Sequence, residues 1–110
     1  MADYIDFIRA NLSKRAILEQ LAEEASELSQ AALKMIRATN CENPTPVTQE
    51  GAYLNILEEC ADISTCLEVL GYNTANEGYL IDEIKREKQQ RWAERIKEKQ
   101  SPEGGRSDGQ

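Results

Sequence analysis

Two apolar helical stripes in this chain are each broken at one position by an acidic residue, and those breaks limit what the chain can fold into more than any other feature. The first stripe runs through Ile17, Leu21, position 24, Leu28, Ala31 and Met35. Its steps of three and four residues are the period of one helix face. Leu18, Ala25, Ala32 and Ile36 lie beside it. The second stripe runs through Ile56, position 59, Ile63, Cys66 and Leu70. Positions 24 and 59 are both Glu. A charge on a core-facing stripe is costly unless it is paired or bound to a cation.

The stripes sit in segments with clear helix punctuation. Ser13 is placed to cap a helix over residues 14–38. Residues 40–49, with Pro44 and Pro46, forbid its continuation. Thr48 is the candidate cap of a second helix over residues 49–70, and Gly71 stands where a glycine ends a helix. Thr74 and Glu77 have the spacing of a capping box. A third long helix is predicted from there to about Lys99, apolar at Tyr79, Leu80, Ile81 and Ile84 and then strongly basic. Trp92 in its basic half is expected to pack.

Residues 4–11 form a short helix or an ordered arm, with Tyr4, Ile5 and Ile8 on one face and Phe7 expected to pack. Residues 101–110 have no apolar anchor and are expected to be disordered. No alternating run suggests a strand. The expected fold is therefore all-α, one domain over residues 1–100: a helical bundle of three long helices plus a short N-terminal helix. A lone helical chain of 110 residues leaves apolar surface exposed. Ala22, Ala25, Ala31 and Ala32 allow close approach of another helix. Completion by oligomerisation, as a homodimer or homotetramer, is the expectation.

Composition removes several functions. The chain carries 13 basic and 20 acidic residues, a net charge of −7. That disfavours a nucleic-acid partner, which needs a basic face, and an anionic membrane surface. There is no histidine, so imidazole catalysis, histidine-ligated zinc and the usual Glu-x-x-His di-iron site are excluded. Cys41, Cys60 and Cys66 match no zinc or redox spacing. Cys60 and Cys66, six apart on one helix, point in different directions and cannot pair. Inert thiols in a reduced, cytoplasmic setting are expected. The start, Met1-Ala2-Asp3-Tyr4, lacks the basic region of a signal peptide. No apolar run approaches the roughly 18 residues that span a bilayer.

Residues three apart on a helix project from one side. Glu24 and Glu27 do so on the first long helix, and Glu59 and Asp62 on the second. Glu-x-x-Glu also arises by chance on solvated faces, but here one member of each pair lies within an apolar stripe. If the two helices pack side by side, four carboxylates converge and resist ionisation. Mg²⁺ resolves this, being a hard cation that takes oxygen ligands and retains waters a phosphate can displace. Mn²⁺ is a possible substitute.

Glu23-Glu24-x-x-Glu27 followed by Glu59-x-x-Asp62 resembles the signature of the MazG-like all-α nucleoside triphosphate pyrophosphohydrolases, relatives of the dimeric dUTPases and dCTPases. The flanking blocks, Leu21–Ala31 and Leu57–Ile63, are similar too, and the likeness covers about residues 13–96. The resemblance implies Mg²⁺-dependent hydrolysis of a nucleoside triphosphate between the α and β phosphates, to the monophosphate and pyrophosphate. It implies Glu24, Glu27, Glu59 and Asp62 as catalytic metal ligands, with Glu23 outside the first shell or orienting a water. Lys88 and Arg91, with Lys85 one turn earlier, match the basic segment that meets the triphosphate. Gln20, one turn before Glu24, is a candidate for the base or sugar. The asparagine that many relatives carry on the third helix has no clean counterpart, since the amides there are Gln89 and Gln90. The competing expectation is a non-catalytic helical oligomerisation or regulatory module that keeps the acidic motif for metal or nucleotide binding.

Overall fold

The structure is a computed structural model and describes residues 3–40 and 42–101. The tail expected to be disordered lies, apart from Ser101, outside the described residues, and so does Cys41. The fold is all-α. Among the described residues there are four helices and no strand: α1 (Tyr4–Asn11), α2 (Lys14–Asn40), α3 (Gln49–Leu70) and α4 (Ala75–Gln100). The chain divides into two compact units, Met1–Tyr72 and Asn73–Gln110.

The helix starts in the first unit follow from short polar side chains. Asp3 has extended backbone and its carboxylate accepts from Ile5 N at 3.1 Å and Asp6 N at 3.2 Å. The hydrogen bonds from Asp6, then those from Ile5 and the Arg9 charge, hold that carboxyl below its ordinary range. Ser13 Oγ accepts from Ala16 N at 3.1 Å, and Thr48 Oγ1 accepts from Gly51 N at 3.0 Å. Each bond satisfies an amide that the helix itself leaves without a partner.

The far end of α3 is closed twice over. Gly71, at φ 78°, donates to the Glu68 carbonyl at 3.0 Å, and Tyr72 N donates to the Leu67 carbonyl at 2.9 Å. That is the Schellman arrangement, and its left-handed residue favours glycine. From α1, Arg9 donates to the Val69 carbonyl at 2.9 Å and the Glu68 carbonyl at 3.0 Å. A guanidinium at a helix C-terminus also meets the negative end of the macrodipole.

α2 and α3 pack as an antiparallel hairpin. At one end Ile17 is buried with Cys66 and Val69, and Leu21, Leu70, Ile5 and Ile8 pack around them. Near the linker the Gln49 side chain reaches the Ala38 carbonyl at 3.5 Å. Ala31 and Ala52 are buried between these ends. The broken stripe of α2 is thus the seam of the hairpin. Its neighbours Leu18, Ala25, Ala32 and Ile36 are exposed, as are Tyr53, Leu54 and Leu57 on α3. Phe7, expected to pack, is 68% exposed. α1 is short and turns only Ile5 and Ile8 inward, which leaves Tyr4 and Phe7 on its outer side.

In the second unit, Thr74 takes the N-cap position in extended backbone, with its carbonyl accepting from Gly78 N at 3.1 Å. Its side chain does not form the capping bond of the expected box. The reason is local: Ala75 follows at φ 49°, so the chain turns through a left-handed residue just where a regular cap would form. Gly78 is required by a close approach, because a Cβ there would lie 2.9 Å from the Asn73 carbonyl oxygen. Trp92, expected to pack, is 63% exposed on α4. No helix among the described residues is long and apolar enough to cross a membrane.

Candidate metal centre

Two turns along the seam from Ile17, the filling changes from aliphatic to acidic. Glu24 and Glu27 project from α2 and Glu59 from α3, each offering a carboxylate oxygen within 4.8 Å of the others. Glu24 is only 8% exposed. Its Oε1 accepts from Gln20 Nε2 at 2.7 Å. Its Oε2 is buried without a hydrogen-bond partner, and so is Oε2 of Glu59. A buried acceptor left unsatisfied is rare and expensive in a native protein. Two of them in one acidic cluster are acceptors that a bound cation would satisfy.

The electrostatics agree. Burial, then the contacts and charges of Glu24 and Glu27, push the Glu59 carboxyl from 4.5 to about 7. Asp62, the fourth acid of the expected set, is exposed and stands beside Glu24. Close contact with Glu24, then burial and the Glu24 charge, raise its carboxyl. The α2 carboxylates thus make Glu59 and Asp62 harder to ionise. The Cys66 thiol is raised by burial first and then by Glu24 and Asp62. Cys66 is buried, whereas Cys60 is exposed.

The donor set is carboxylate oxygen without imidazole or thiolate, which suits Mg²⁺ or Mn²⁺ over softer metals. The three glutamates and the two orphaned oxygens fit such an ion. Glu23 is exposed and lies outside the trio.

The remaining expected residues fall in different places. Gln20, the candidate for the base or sugar, donates to Glu24 and so stands beside the acids. Lys88 and Arg91 share one face of α4 and line a groove there with Trp92 and Arg95. Lys85 lies one turn earlier, near Asn73, Tyr79 and Asp82. All three belong to the second unit.

Sequence reasoning missed three residues next to the acids. Gln30, Lys34 and Asn55 join Glu27, Ala31 and Glu59 around an open groove of about 300 Å³. The helical period could have found them: Gln30 is one turn beyond Glu27, and Asn55 one turn before Glu59. Comparison with family models, with curated proteins and with solved structures gives no match for this chain.

Proposed function

We propose that this protein is a Mg²⁺-dependent nucleotide pyrophosphohydrolase that cleaves a nucleoside or deoxynucleoside triphosphate between the α and β phosphates. The observation that carries the reading is the convergence of buried Glu24, half-buried Glu59 and exposed Glu27, with two buried oxygens left unpartnered. The MazG-like pattern of Glu24, Glu27, Glu59 and Asp62 supplies the reaction class. In that role Glu24, Glu27 and Glu59 hold the ion, with Asp62 completing the set and Gln20 orienting Glu24 through its 2.7 Å hydrogen bond. Bound Mg²⁺ supplies charge neutralisation, a lowered water pKa and a hold on phosphate oxygens. The attacking water passes its proton to a carboxylate of the cluster. Lys88, Arg91 and Lys85 are the substrate-binding cations that the family pattern suggests.

The working form is a homodimer or homotetramer in the cytoplasm. Exposed Leu18, Leu33 and Ile36 on α2 and Tyr53, Leu54 and Leu57 on α3 support assembly, because a second copy would remove these side chains from water.

The test is a panel of NTPs and dNTPs with Mg²⁺, read by pyrophosphate release and product identification. Release of pyrophosphate and monophosphate from at least one nucleotide is expected, and Glu24→Gln should abolish it while the protein stays folded. Folded protein with ample Mg²⁺ and no release from any nucleotide sinks the reading.

A further inference from the structure

We infer that the groove beside the acidic cluster holds the polyphosphate of the substrate, with Lys34 as its cation and Gln30 and Asn55 as hydrogen-bond donors. This rests on the metal-dependent nucleotide reading and extends it to residues outside the acidic motif. Four observations support it.

The groove is continuous with the metal centre, since Glu27 and Glu59 belong to both. Its lining is polar except for Ala31, whereas pockets for a nucleobase or another flat ring are mostly apolar. Lys34 is half-buried there. It forms no salt bridge among the described residues; the first unit's ion pairs are Arg9 with Asp6 and Arg15 with Glu19. A lysine beside carboxylates, held short of pairing with them, is available to an incoming anion.

The register is the fourth. Glu27, Gln30 and Lys34 follow one another at helical spacing along α2 and all line the groove. α3 runs the other way, which sets Asn55 at the same level, one turn from Glu59. A phosphate chain held at the carboxylates through Mg²⁺ then continues along the groove to the ammonium. The charge demands such a group, because a polyphosphate approaching a chain of net charge −7 needs a local cation.

The probe is inorganic tripolyphosphate, which has no base or sugar. Its binding in the presence of Mg²⁺ is measured by calorimetry on the wild type, Lys34→Gln and Lys34→Arg. Binding of Mn²⁺ alone is measured on the same proteins by electron paramagnetic resonance. Loss of a charge-assisted contact should weaken tripolyphosphate about tenfold or more in Lys34→Gln, leave Mn²⁺ affinity unchanged, and be largely rescued in Lys34→Arg. Wild-type tripolyphosphate affinity in a Lys34→Gln protein that binds Mn²⁺ normally overturns this inference alone. An equal loss of tripolyphosphate and Mn²⁺ also overturns it, since the lysine then acts on the metal cluster. A wild type that binds no Mn²⁺ overturns the metal reading and this inference with it.

Discussion

Ile17 and Glu24 stand on one face of α2, two turns apart, and are buried almost equally, at 5% and 8% exposed. Their partners on α3, Cys66 and Glu59, are two turns apart as well. The backbone treats both levels of the seam alike. At the Ile17 level, burial removes apolar surface from water and stabilises the fold without help. At the Glu24 level, burial strips water from carboxylates and leaves two oxygens unpartnered. One level holds the hairpin together, and the other opposes it with unpartnered acceptors and mutual repulsion. The hairpin keeps its acidic level because the aliphatic level, the Schellman close and the Arg9 bonds secure the same helices nearby.

The largest expected effect separates the two levels by what stabilises them. Ile17→Ala should lower unfolding stability by about 3 kcal/mol, the range for deleting a buried aliphatic side chain. The loss should be the same with and without Mg²⁺, measured from urea midpoints. A loss that Mg²⁺ largely restores would break the distinction between the levels.

A smaller effect belongs to the acidic level. Mg²⁺ at ten times its dissociation constant should stabilise the wild type by about 1.4 kcal/mol, raising the thermal midpoint by several degrees. Glu24→Gln should lose that response. Its metal-free midpoint should equal or exceed that of the wild type, because the substitution removes one member of a repelling cluster. A metal-free midpoint well below wild type would show that Glu24 stabilises the fold by itself.

The effect that solvent screens most is in pH. The Glu59 carboxyl is raised in the folded state, from 4.5 to about 7. The folded protein therefore binds this proton more tightly than the unfolded chain does. The resulting stability is fully present below 4.5 and is lost as pH rises to about 7. Asp62, raised by Glu24, acts in the same direction. In EDTA, the midpoint of Glu59→Gln relative to wild type should climb across that window. A flat difference would mean that the two acids do not share the strained site.

Much of the local structure was legible in the residues. Ser13 and Thr48 mark true helix starts and Gly71 a true end, because capping depends on a few neighbouring atoms. The capping box at Thr74 was less legible, since the left-handed Ala75 that displaces it has no sequence signal. Phe7 was misjudged because an aromatic side chain states a preference for burial without stating what is near enough to bury it. The acidic pairs could be read from their place in the stripes. The period also puts Gln30 and Asn55 one turn from an acid, but that they line one groove with Lys34 could not be read until a second helix fixes their level.

The sequence alone determined that this chain is helical, where its helices begin and end, and that Glu24 and Glu59 interrupt apolar faces. Those are matters of period and local hydrogen bonding, which act within a turn or two of the chain. Only the tertiary structure decided that Glu24, Glu27 and Glu59 meet at one level, that Gln20 serves Glu24, and that Lys34 lies beside them. Such facts depend on the register between antiparallel helices, and packing across the whole seam sets that register.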